Sequence, residues 1–204
     1  MRIGIIVDGD AESQALKLLT RRIEIPEIVL LDPIYSNMQP KSTPAQIARS
    51  AKAQVSVLVN ARKADAIIVL IDREDRSDCP PAFAKAIERA FKNLDCPNVK
   101  VAVKDKKFEN WLVSDVTVFR HFAARYRVTG AFRNRVAPNK ADSIRDAEEL
   151  LNQICIKDQY HKRRDAAKIT DAQAVLEIAK NSRSFRKFLN LIEHDKYLNQ
   201  SKRP

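Results

Sequence analysis

With 204 residues, the chain is long enough to bury a core without disulfide or metal staples, and its length suits one α/β domain with an appendage or two small lobes. A formal net charge of +11 favours a polyanionic partner, and 45% hydrophobic residues argue against wholesale disorder. Cys79, Cys96 and Cys155 form neither a zinc pattern nor a disulfide framework, no leader-like segment or bilayer-length apolar run is visible, and the expected compartment is a reducing cytoplasm with no membrane contact.

Residues 3–8 are an unbroken apolar run ending at Asp8-Gly9 and read as a buried parallel strand. Residues 11–23 follow as a helix, with Ala15, Leu16, Leu18, Leu19 and Ile23 on its apolar side. Ile25 to Leu31 reads as a short strand ended by Asp32-Pro33, and residues 36–43 read as a loop. Pro44 fits the first turn of a helix running to about Arg62. Ala64 to Ile71 is the most apolar strand and is expected at the sheet centre. Pro80-Pro81 opens a helix through about Leu94, Asp95 to Asn98 is a turn, and Val99 to Val103 is the fourth strand. This alternation predicts an α/β fold: a three-layer sandwich around a mostly parallel sheet. After residue 104 strand signals fade. Residues 108–126, 142–155, 171–180 and 184–194 read as helices, with a loop around Val136 to Asn139. The predicted organisation is an α/β core over 1–118 and a mostly helical, basic part over 119–204 packed on it, with Gln200 to Pro204 frayed.

Acidic residues stand just past the strand ends, where open α/β sheets build their sites. Asp8 and Glu12 are four apart across one glycine and the first turn of a helix, and Gly9 would allow a sharp turn there. The competing reading is helix capping by Asp8 or Asp10. Asp72 and Glu74 follow the most apolar strand, and alternation in extended chain would point both carboxylates to one side. Here the competing reading is a solvated acidic loop, with Asp75 and Asp78, paired to Arg73 and Arg76. Glu109 lies between Phe108 and Trp111 near the fourth strand's end, with Asp115 as a weaker supporting acid; an exposed turn of an amphipathic helix is the alternative. Carboxylates in this number suit Mg2+ or Mn2+, hard cations that take oxygen ligands. His121, His161 and His194 have no metal-ligand spacing.

These residues resemble the TOPRIM fold of topoisomerases, DnaG-type primases and OLD-family nucleases. That family carries a first-strand Glu-Gly motif with a second glutamate four residues after the first. Asp8-Gly9-Asp10-Ala11-Glu12 has that spacing, with aspartate first, and Asp72-Arg73-Glu74 is similar to the family's Asp-x-Asp, with the last acid exchanged. Both exchanges keep an oxygen ligand and change its reach by one methylene. More closely, Phe108-Glu109-Asn110-Trp111-Leu112 and Ser182 to Leu189 resemble a family of small TOPRIM-like prokaryotic proteins of unknown function, often encoded beside ABC-type ATPases. The resemblance implies metal ligation by Asp8, Glu12, Asp72, Glu74 and Glu109. It also implies a lysine beyond the acidic motifs, for which Lys162 is the first choice and Lys168 the second.

The remaining signal is basic. From Arg120 to Arg135, cations alternate with aromatics: Arg120, Arg125, Arg127, Arg133 and Arg135 with Phe122, Tyr126 and Phe132. Arginines can grip phosphates and aromatics can stack on unpaired bases, or the aromatics can form core while the arginines face water. Lys162, Arg163 and Arg164 form a second basic cluster. Together these features predict a Mg2+- or Mn2+-dependent nuclease acting on DNA or RNA. A metal-activated water would attack the phosphodiester, with Glu12 and Lys162 as catalytic residues. By resemblance it would act as a defence effector with an ATPase partner. The rival expectation is a non-catalytic module that docks an ATPase or nucleic acid; a homo-oligomer is compatible with either.

Overall fold

In the computed structural model, which describes residues 1–197, strand β1 (Arg2–Val7) is followed by helix α1 (Asp10–Thr20). The Gln200 to Pro204 tail expected to fray lies outside the described residues. Two short strands come next, β2 (Val29–Leu30) and β3 (Ile34–Tyr35), and both pair with β1. Val29 is opposite Arg2, but Ile34 is opposite Ile6, so one extra residue enters this edge between the two stretches. Pro33 sits within that interruption, where a missing backbone N–H breaks no ladder. The single strand expected over Ile25–Leu31 is therefore one half of a broken edge, and β3 resumes it beyond the proline.

Helix α2 (Pro44–Ser56) opens on a capping box. Thr43 Oγ1 accepts from Gln46 N, and Gln46 Oε1 accepts from Thr43 N. It widens into a π turn over Val57–Ala61, which places Leu58 against Gly4 of β1. A Cβ on Gly4 would lie 2.8 Å from Leu58 Cδ1, so this glycine serves close approach. β4 (Ala66–Asp72), α3 (Pro80–Lys92) and β5 (Val99–Lys104) complete the sheet, ordered β2/β3–β1–β4–β5 with every pairing among these strands parallel.

Side-chain alternation assigns the two faces. Ile6, Ile67, Val69, Ile71, Val101 and Val103 pack under α2 and α3. Ile3, Ile5, Val7, Ile68, Leu70 and Ala102 face α1 and the C-terminal helices. These are α4 (Phe108–Ser114), α5 (Gly130–Val136), α6 (Ala147–Ile154), α7 (Lys162–Ala172), α8 (Val175–Asn181) and α9 (Arg183–Leu191), with 3-10 turns at Val118–Phe122, Ala141–Ser143 and Asp195–Tyr197. The result is a three-layer α/β sandwich in which one hydrophobic cluster runs from the sheet through α4 to α9.

Helix α4 is the hub of that layer. Trp111 meets Phe185 edge-on at 5.0 Å and Phe188 at 5.8 Å, and its indole N–H donates to Ser184 Oγ at 2.8 Å. Asn110 donates to the carbonyls of Ala141 and Ile144, and Gln173 donates to those of Trp111 and Leu112. These bonds satisfy helix-end and loop carbonyls that burial would otherwise orphan. The continuous helix expected over 108–126 ends instead at Ser114. There Asp115 turns the chain by accepting from Thr117 N and Val118 N on one oxygen and from Ala174 N on the other.

Candidate metal centre

The carboxyl ends of β1, β4 and β5 lie side by side, and α1 begins directly after β1. Asp8 leaves the end of β1, Glu12 projects from the first turn of α1, and Asp72 is the last residue of β4. One carboxylate oxygen from each lies within 4.8 Å of the others, a grouping that could hold a metal ion. It is made of hard oxygen donors; among the described residues no histidine or cysteine joins such a group.

At its middle sits a residue that sequence reasoning missed. Lys104, the last residue of β5, is the cross-strand partner of Asp72 and is fully buried. Its Nζ lies 2.8 Å from Asp8 Oδ1, 2.5 Å from Glu12 Oε2 and 2.9 Å from Asp72 Oδ1. The first two contacts are hydrogen bonds. The third is an ion contact outside hydrogen-bond geometry, so Asp72 Oδ1 has no hydrogen-bond donor. The lysine was legible in principle: a cation ending β5 on the face that Ala102 shares with the core, where the strand's other lysine, Lys100, is exposed. Only the register shows which acids it meets.

Asp8 does not cap α1. Gly9 occupies the N-cap with no side-chain bond, while Asp8 Oδ2 accepts from the backbone N–H of Asp72 at 2.8 Å. That bond ties the ends of β1 and β4. Gly9 is extended (φ −129°, ψ 131°), so the sharp turn expected there is absent. Its value is proximity: a Cβ would lie 3.3 Å from Glu12 Cβ and 3.5 Å from Glu12 Oε2.

Glu12 Oε1 is buried without any partner. Burial, reinforced by Asp8 and Asp72, raises the Glu12 carboxyl well above the usual range despite Lys104. Burial and Asp8 likewise push Asp72 up to about 7 against the pull of Lys104. Burial opposes the Lys104 ammonium, but Asp72, Asp8 and Glu12 outweigh it and hold the group well above the ordinary lysine range.

Glu109 lies beside the triad without entering it. It is buried on α4, and its Oε1 takes Lys162 Nζ at 3.1 Å and the Tyr160 hydroxyl at 3.5 Å, while Oε2 has no partner. Lys162 opens α7 with its side chain 41% exposed, and Glu109 raises its ammonium above the ordinary range against the opposing effect of burial. Lys168, the second choice, is exposed further along α7. Glu74 is also outside the grouping. It sits at φ 51°, beyond the end of β4, so the strand alternation that would have aligned it with Asp72 has already stopped. Its N–H donates to the Lys106 carbonyl. Of the neighbouring acids, Asp78 pairs with Arg76 as the loop reading expected, and Asp105 binds Arg73 at 2.6 Å.

The basic stretches divide in the same way. Tyr126 and Phe132 are buried around Phe119, and Phe122 packs half-buried beside them, so these aromatics belong to the core. Arg120, Arg127, Arg133, Arg135, Arg163 and Arg164 are exposed. Arg125 is engaged: it binds the buried Asp165 at 2.5 Å, and Asp165 also holds Arg164.

Fold and site together define an α/β protein with a buried carboxylate–lysine cluster at the carboxyl edge of a parallel sheet. Residues 7–193 match the family described as a domain of unknown function, DUF4276, and the chain belongs to it. No curated protein and no solved structure matches the chain.

Proposed function

We propose that this protein is a Mg2+- or Mn2+-dependent phosphodiesterase that cuts DNA or RNA, using the TOPRIM-like arrangement its acidic motifs resemble. The observation that carries the proposal is the convergence of Asp8, Glu12 and Asp72 with a buried oxygen of Glu12 left unpartnered. The donor set fits a hard dication. Counted as ionised, four carboxylates (Asp8, Glu12, Asp72 and Glu109) surround two ammonium groups (Lys104 and Lys162), leaving two negative charges without a counterion. Asp8, Glu12 and Asp72 would hold the ion. Bound there, it would supply Lewis-acid stabilisation of phosphate charge and acidify water.

The chain's own residues do the rest. Lys162 reaches solvent from α7 while Glu109 orients it, which suits it to meet the negative charge that develops on a phosphoryl group. Arg163 and Arg164 continue the basic surface from that turn, and Arg120, Arg127, Arg133 and Arg135 extend the positive field that attracts a phosphate backbone. The resemblance to proteins encoded beside ABC-type ATPases extends the proposal to an effector role in a prokaryotic defence system.

A second reading rests on Lys104. Its ammonium already touches all three acids, an arrangement that also suits a buried ion cluster without catalysis, in a module that docks nucleic acid or an ATPase. Cleavage of single- and double-stranded DNA and RNA in Mn2+, compared between wild type and Glu12→Gln, decides. Metal-dependent cleavage lost in the variant supports the phosphodiesterase. Equal activity in both defeats the site assignment. Nucleic-acid binding indifferent to chelator, with no cleavage, selects the docking module.

A further inference from the structure

We infer that the side-chain nitrogen of Lys104 occupies the position a second cation would take, so that the centre accepts a single divalent ion. This rests on the metal-binding reading above and deepens it. In two-metal phosphoryl-transfer sites the ions sit about 3.5–4 Å apart and share carboxylates between them. Here the point common to Asp8, Glu12 and Asp72 is filled by Nζ, at 2.8, 2.5 and 2.9 Å. Lys104 is fully buried, is paired across the sheet with Asp72, and has its Nζ 6.0 Å from the ring centroid of Phe108.

Of the carboxylate oxygens that do not face Nζ, Asp8 Oδ2 accepts from the Asp72 backbone N–H, and Glu12 Oε1 is buried with no hydrogen-bond donor; Asp72 Oδ1 faces Nζ but off the hydrogen-bonding direction. Counted as ionised, three carboxylates against one ammonium leave two negative charges, the charge of one dication. Glu109 does not alter this balance, because Lys162 answers it at 3.1 Å. Lys104 is thus a positioning residue: it keeps the three acids converged and fixes the number of ions they take.

The test is Mn2+ stoichiometry by titration and electron paramagnetic resonance on the full chain. Wild type should bind one Mn2+ with a single-ion spectrum. Lys104→Met, which retains most of the stem's volume without its charge, should bind two, and Lys104→Arg should return to one. Two ions in wild type, or one in a folded Lys104→Met, would overturn the inference. No site-bound Mn2+ in wild type would defeat the metal reading itself, a separate result. If Lys104→Met does not fold, the wild-type spectrum at saturating Mn2+ decides alone, since a spin-coupled pair of ions contradicts the inference and an isolated ion upholds it.

Discussion

Lys104 and Asp72 are directly opposed across β5 and β4, and their charged groups meet at 2.9 Å inside the protein. The parallel ladder that aligns them also sets their side chains on the face where α1 delivers Glu12. The ion cluster is therefore a product of sheet register. Removing one member of a buried charge network leaves its partners uncompensated, at a cost of about 3–5 kcal/mol. Lys104→Ala should lower stability by that order in chelator, measured by urea unfolding. Mn2+ should raise its melting temperature more than it raises that of wild type, since added cation replaces the lost countercharge.

The raised carboxyl of Asp72 predicts how stability varies with pH. Its folded value of about 7 exceeds the usual aspartate value of 3.8, so between these the folded state binds a proton that the unfolded chain has released. Stability from this group is complete below about pH 4 and declines as pH rises through 7, with a slope of at most about 1.4 kcal/mol per pH unit. Glu12, raised by the same burial, acts in the same direction. Denaturant midpoints in chelator should fall across this window, and Asp72→Asn should flatten the decline. An unchanged pH slope in the variant would contradict the assignment.

Trp111 joins the two sequence motifs farthest apart in the helical layer, through its contacts with Phe185, Phe188 and Ser184. Trp111→Ala should cost about 3–5 kcal/mol by cavity formation. Trp111→Phe should cost less, losing the Ser184 hydrogen bond and part of the volume. Chemical denaturation of the two variants measures the difference.

Two neighbouring arginines should behave differently. Arg127 is exposed, whereas Arg125 is bound to buried Asp165. Arg127→Ala should leave stability unchanged and weaken nucleic-acid binding, with the slope of log affinity against log salt reduced by about one. Arg125→Ala should destabilise the fold by about 1–3 kcal/mol, because it strips a partner from a buried carboxylate. Fluorescence anisotropy over a salt series and thermal melts together separate the two effects.

What the sequence determined by itself was local. Predominantly apolar runs at 3–8, 64–71 and 99–103, each followed by a helix signal, specify a parallel sheet with helices on both faces, and acids at strand ends mark its carboxyl edge. The acid at position 8, the one at 12 and the one at 72 could be chosen for that reason. Tertiary structure decided the rest. Glu74 fell outside the grouping because the chain turns into a left-handed conformation two residues after Asp72. Tyr126 and Phe132 became core because their helical layer packs on the sheet. Lys104 became the centre of the site because a strand's neighbours are fixed by pairing with distant segments, and no local pattern encodes which acids a lysine will meet across a ladder.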